Sequence, residues 1–208
     1  MYWAEFLTVI LVHLLAVASP GPDLAVVLKN SVSVGRRAAI FTSLGVGSGI
    51  MVHVIYCLLG IGLIISQSIW LFNLIKWLGA AYLVWIGIQG LRAKPQNADN
   101  ITVSRNLVLS DKGAFLSGFM TNGLNPKATL FFLSLFTVVI SPSTPTLVQL
   151  GYGIYMVAAT ALWFMMVSWL FSTQRVRAKF LQIGHWFDRT MGLVLVSLGI
   201  RLLFSSQK

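Results

Sequence analysis

Charge is scarce in this sequence. Only 10% of its 208 residues are Asp, Glu, Lys or Arg, and just five are acidic, whereas a soluble domain carries about 25% charged residues. A water-soluble globule is excluded. Cysteine is almost missing: Cys57 alone excludes an intramolecular disulfide, a CxxC redox pair and a thiolate metal cluster. An intramembrane metalloprotease would need a ligand set such as HExxH, and neither that motif nor a replacement spacing of the three histidines is present. A serine intramembrane protease would need a GxSG nucleophile, but Val46-Gly47-Ser48-Gly49 lacks the first glycine. No basic region precedes the apolar run that follows Met1-Tyr2-Trp3-Ala4-Glu5, so this segment reads as a retained first helix rather than a cleaved signal peptide.

What the chain has instead is apolar surface. Hydrophobic residues make up 57% of it and the mean hydropathy is +0.83. At about 20 apolar residues per crossing, that supplies close to six transmembrane helices. The apolar runs are continuous rather than alternating, which disfavours a β-barrel. The fold expected is an all-α integral membrane protein with six transmembrane helices at 4–28, 39–65, 69–91, 113–140, 147–172 and 186–204. No separate soluble catalytic domain fits in the remainder, so residues 1–208 are read as a single transmembrane domain.

Loop charge sets the orientation. Lys29, Arg36 and Arg37 fall in the first loop, Arg92, Lys94, Arg105 and Lys112 in the third, and Arg175, Arg177 and Lys179 in the fifth, with Arg189 just beyond. The second and fourth loops, Ser66 to Ser68 and Ser141 to Pro145, hold no basic residue. The positive-inside rule makes the odd loops cytoplasmic and both termini periplasmic; Lys76 and Arg201 dissent weakly. The same topology accounts for the net charge of +10, because basic residues scattered over short loops present no nucleic-acid patch.

Two three-helix halves, 1–91 and 113–204, flank a polar linker at 92–112. They resemble each other: Lys76 precedes Gly79 and Gly87 in the third stretch as Arg189 precedes Gly192 and Gly199 in the sixth. An odd number of helices per half makes this a candidate inverted repeat; small residues recurring for close helix packing are the alternative. The first and fourth stretches add a stronger match. Ser19-Pro20-Gly21-Pro22-Asp23 interrupts one and Asn122-Gly123-Leu124-Asn125-Pro126-Lys127 the other, and aligning Pro22 with Pro126 sets Asp23 opposite Lys127. Prolines there should break both helices, and broken helices in matching positions point to a transporter's binding site. Ser19 before Pro20 and Asn125 before Pro126 are expected to cap new half-helices, whose positive ends suit a carboxylate. Asp23 and Lys127 are costly at mid-membrane, about 2.5 to 3.5 kcal/mol each. An amino-acid zwitterion would satisfy both, its ammonium on Asp23 and its carboxylate on Lys127; a permanent ion pair between the two is the alternative.

These motifs resemble a known family. SPGPD at Ser19 to Asp23, NPKA at Asn125 to Ala128 and GAAYL at Gly79 to Leu83 are similar to the LysE/RhtB superfamily of bacterial amino-acid exporters, most like its threonine and homoserine branch, over essentially the whole chain. The resemblance implies amino-acid efflux from the cytoplasm across the inner membrane, driven by the proton gradient, with Pro20 to Asp23 and Asn125 to Lys127 as the shared signature. A small neutral substrate is favoured, also because the sequence shows no spare membrane acid for a cationic side chain. A cation or heavy-metal exporter of the same architecture is the runner-up, although soft metals want thiolates or clustered imidazoles. No cofactor or metal is expected.

His13 and His53, at roughly matching depth, could form a proton relay or be hydrogen-bonded packing residues. His185 reads as a solvated loop residue, and Glu5 has no assigned role. Most tryptophans read as interfacial anchors, with Trp85 and Trp163 deep enough to line a cavity. Gly45, Gly47, Ser48 and Gly49 form a small-residue seam for close packing or helix dimerisation, so a homo-oligomer is left open. The loop charges generate a first prediction: topology reporters fused at Asn97 and Lys208 give opposite signals, the first cytoplasmic and the second periplasmic. Matching signals would refute six spans.

Overall fold

The computed structural model describes residues 2–67, 69–94, 108–141, 143–170 and 174–204. Residues 95–107 of the linker and the C-terminal Lys208 therefore lie outside the described residues. Those described form helices and connections, with no strand among them. In order they are α1 (Trp3–Ala18), α2 (Pro22–Ser33), α3 (Arg36–Gln67), α4 (Ile69–Leu91), α5 (Asp111–Gly123), α6 (Pro126–Ser134), a π-helical turn (Leu135–Val139), α7 (Thr146–Leu170) and α8 (Gln174–Phe204).

Long unbroken helices arise where apolar residues run without proline. Arg36–Gly60 within α3 and Thr146–Leu170 are each long and apolar enough to cross a bilayer. The first apolar stretch is instead two helices, α1 and α2, bent by 53° and together able to make a third crossing. The fourth stretch is divided between α5, α6 and the π turn. The outer faces match this composition: Leu7, Leu11, Leu59, Leu162 and Leu193 are exposed, an arrangement that water would penalise and lipid would not.

Two expectations change at α8. Arg175, Arg177 and Lys179 are helical backbone, not loop, because Gln174 to Gln182 is rich in straight-chain helix formers and lacks glycine and proline. His185 accordingly sits on the helix, half-buried, with its Nδ1 2.6 Å from the Gln182 carbonyl and its ring against Trp186. Glu5 also gains a structural role. It accepts hydrogen bonds from the Ser141 amide at 2.8 Å and the Thr144 hydroxyl at 3.0 Å, tying α1 to the connection before α7.

Glycine lets the helices close on one another. A Cβ on Gly45 would strike the Phe115 carbonyl and one on Gly118 the Thr42 carbonyl, so α3 and α5 meet backbone to backbone. Gly47 turns the other way, with α7: a Cβ there would lie 2.8 Å from both Ala161 Cβ and the Val157 carbonyl. The seam read as packing or dimerisation is thus used within the chain. Gly87 and Gly192 do the same for α4 and α8, each placed where a Cβ would strike the other's carbonyl. The apolar core gathers Val9, Val12, Ile50, Val54, Leu83, Phe132 and Met156 from α1, α3, α4, α6 and α7.

Of the tryptophans, Trp3, Trp70, Trp77, Trp85, Trp169 and Trp186 are exposed, and Trp163 packs half-buried beside Phe164 and Val167. The close approach of α3 and α5 makes Gly118→Val costly. Overpacking of this kind costs about 1 to 3 kcal/mol or more, so thermal melting of detergent-purified protein should show clear destabilisation. Gly60→Ala, where nothing lies within 4 Å of a new Cβ, should melt like the parent.

Candidate functional site

The two breaks are built by residues that precede proline. Such a residue is pushed out of helical conformation by the proline ring. Ser19 closes α1 with φ −69° and ψ 123°, and Gly21 is fully extended at φ −166°, ψ −171°. With Ser19 and Gly21 both held extended, the helix restarts at Pro22 with Gly21 as its N-cap. The expectation that Ser19 caps a helix beginning at Pro20 is corrected: the second proline forbids it, and Ser19 is the C-cap of α1. At the other break Asn125 is the N-cap of α6, with Pro126 in the first turn and its Oδ1 accepting from the Lys127 amide at 3.0 Å. The donors here are paired, since Leu124 N–H reaches the Met120 carbonyl and Asn125 N–H the Asn122 carbonyl.

Both breaks face one cavity of about 720 Å³, its mouth included, to whose wall each of the helices α1 to α8 contributes, α3 through Ile50. Ser19, Gly21, Pro22, Asp23, Asn122, Asn125 and Lys127 all border it. A second cavity, about 910 Å³ with its mouth, adjoins it and reaches Gln89, Gly90 and Ala93 at the end of α4. Pro22 and Pro126 both line this second cavity, together with Ser19, Lys127 and Trp85.

Asp23 and Lys127 do not pair. Among the described residues the ion pair is Arg37 with Asp111, at 2.7 Å on the surface. Asp23 Oδ2 accepts from Asn122 Nδ2 at 3.0 Å, while Asp23 Oδ1 and Asn122 Oδ1 are buried without a partner. Lys127 Nζ donates to Ser19 Oγ at 2.8 Å and, at 3.5 Å, to the Pro20 carbonyl. Ser19 Oγ in turn donates to Asp188 Oδ1 at 2.5 Å. The ammonium is therefore linked to a carboxylate through a hydroxyl, and that carboxylate comes from α8 rather than α2.

The histidines belong to different networks. His13 lines the cavity, its Nε2 3.1 Å from Thr160 Oγ1 and its Nδ1 buried without a partner. His53 lies behind Asn122, its Nε2 3.0 Å from that residue's carbonyl, its Nδ1 2.9 Å from Tyr56 Oη and its ring stacked on Phe132. Among the described residues no group of three or more His, Cys, Asp or Glu side chains could hold a metal, and Cys57 is a buried core residue.

Asp188, Thr160 and Tyr82 were missed by sequence reasoning. Asp188 had a legible signal: it is one of five acids in the chain and sits inside the apolar stretch 186–204. It also removes one premise of the substrate argument, because a membrane acid besides Asp23 is present; that acid is, however, engaged with Ser19. Thr160 carries no motif, and only the approach of α7 to α1 reveals it. Tyr82 stands in the GAAYL segment and borders both cavities.

Known proteins are similar to this chain in sequence. A threonine efflux protein of Escherichia coli (strain K12) is 35% identical over 201 residues, covering 96% of this chain and 98% of that protein. The threonine efflux protein of Salmonella typhimurium is 34% identical over the same shares. A homoserine/homoserine lactone efflux protein of Salmonella typhimurium is 32% identical over 149 residues, 71% of this chain and 69% of that protein. No solved structure matches. The family model described as LysE type translocator matches residues 14–206, which takes in both helix breaks and every residue of the cavity except His13, and the chain accordingly belongs to the LysE type translocator family.

Proposed function

We propose that this chain is a secondary exporter of a small neutral amino acid of the threonine and homoserine kind, moving it out of the cytoplasm in exchange for protons. It is a transporter rather than an enzyme, as its relatives' names describe them. The observation that carries the reading is the state of Asp23: one carboxylate oxygen is buried without a partner in the cavity that also holds the Lys127 ammonium. An unpartnered buried carboxylate is costly, and either a proton or a substrate ammonium relieves it. Competition of the two for Asp23 is itself an exchange mechanism. A proton leaves as the ammonium arrives on the cytoplasmic side, and one returns when the substrate departs.

The remaining parts follow. The substrate carboxylate goes to Lys127, near the N-terminus of α6, where the amide ends add favourable partial charge. Phe131, Leu24 and Met191 at the cavity wall suit a small aliphatic side chain. His13, with its free Nδ1 at the cavity, is the nearer candidate to relay protons, and His53 acts through Asn122. In this reading the protein has six spans in the bacterial inner membrane, as two inverted halves, 1–91 and 113–204, about a two-fold axis in the membrane plane, with both termini periplasmic. The heavy-metal alternative draws no support from Cys57 buried in the core.

The test uses cells lacking their own threonine exporters, fed a threonine dipeptide. Excretion should rise with the parent chain. Asp23→Asn keeps size and polarity but removes the charge and the titrating site, so excretion should fall to background while membrane abundance stays normal. Lys127→Met should do likewise. Wild-type excretion by the double variant Asp23→Asn with Lys127→Met would sink the proposal.

A further inference from the structure

Lys127 is linked to a carboxylate of the chain itself. Ser19 has a single hydroxyl proton, and it is donated to Asp188 at 2.5 Å, within the range of charge-assisted O–H···O⁻ bonds. Its oxygen can therefore only accept from the ammonium, which it does at 2.8 Å. The order ammonium, hydroxyl, carboxylate is fixed by proton count alone. Three elements meet there, α6 through Lys127, the end of α1 through Ser19 and α8 through Asp188. Close packing holds α8 in place: a Cβ on Gly184 would come within 2.8 Å of Pro20 Cγ, and Arg189 Nε donates to the Ala93 carbonyl at 3.2 Å.

The chain of hydrogen bonds also stands between two spaces. Ser19 and Lys127 border both cavities; Asp188 borders the second, which extends to the end of α4. On its far side the first cavity reaches His13 and Thr160. The second cavity, which includes Ala93, is lined by Asp188, Ser19 and Lys127 but not by Asp23.

We propose that Asp188 is an internal stand-in for the substrate's carboxylate, holding Lys127 through Ser19 while the transporter is empty, and that the second cavity is the vestibule through which an α-carboxylate arrives to displace it. This rests on the exporter reading above. The link is built to be displaced, since Asp188 reaches the ammonium only through a hydroxyl, and a carboxylate that touches Nζ directly gains more than the stand-in loses. Asp188 thereby compensates Lys127 in the empty state, lowers affinity to a level that permits release, and selects solutes that carry a carboxylate.

Equilibrium binding of radiolabelled L-threonine and L-homoserine to the purified full-length protein tests this. Asp188→Asn keeps the acceptor for Ser19 but removes the competing charge. If the latched form dominates by about ten to one, threonine affinity should rise about tenfold. Ser19→Ala, which cuts the link without touching either charge, should raise it in the same direction and decides the matter if Asp188→Asn fails to fold. L-threoninol, which lacks the carboxylate, should bind both variants no better than the parent. Unchanged or weaker threonine binding by the folded variants would overturn the stand-in, as would an equal gain for threoninol. If the parent and both variants bind neither amino acid, the exporter reading falls and the stand-in falls with it.

Discussion

A residue that precedes proline is held out of helical conformation, and in a bilayer every backbone group released by such an interruption must be satisfied inside the protein. That pair of constraints organises this molecule. Ser19 and Gly21 are extended because Pro20 and Pro22 follow them, and Asn125 because Pro126 does. The breaks are tolerable because three of the residues involved are prolines without an N–H to satisfy, and because Asn125 turns its side chain back on the new helix. Each break then places the start of a half-helix at the cavity, which Pro22 and Asp23 of α2 and Lys127 and Ala128 of α6 line.

The breaks would be of little use without helices close enough to hold them face to face. Glycines at the α3–α5 and α4–α8 contacts remove the side chains that would keep backbones apart, which is how membrane helices associate when lipid offers no hydrophobic drive. α5 is thereby brought beside α3, and Asn122 at its end reaches Asp23 on α2 while its carbonyl takes the His53 ring. The packing seam and the polar site are consecutive steps of one arrangement: Gly49 meets Asn122 itself, where a Cβ would lie 2.9 Å from its Cβ and Oδ1.

Charge in the cavity is distributed unevenly, and the imbalance is the chemistry. Lys127 has a hydroxyl, a carbonyl and, one bond further, Asp188. Asp23 has a neutral amide and an unpartnered oxygen. One site is therefore provisionally compensated and the other is left short of a positive charge, which is the asymmetry a zwitterion and a proton can exploit in turn.

The sequence by itself determined the class of this protein and the place to look. Continuous apolar runs and scarce charge point to membrane helices, because a desolvated backbone must pair within helices or a closed barrel and the alternation a barrel needs is missing, and the two proline-centred motifs mark the interruptions through local sterics alone. It could not settle where the first helix restarts, since Ser19 before Pro20 has the form of a cap until both prolines act together; nor that α8 extends back to Gln174, since basic residues in a helix and in a loop read alike. Tertiary structure alone decided the partners of the charges. Asp23 and Lys127 align in the two halves, yet each finds a different neighbour, because α8 carries Asp188 to Ser19 across 169 positions of chain and α5 carries Asn122 to Asp23 across 99. Such contacts depend on how whole helices pack, and no local preference or spacing encodes which side chain a helix will deliver to a cavity.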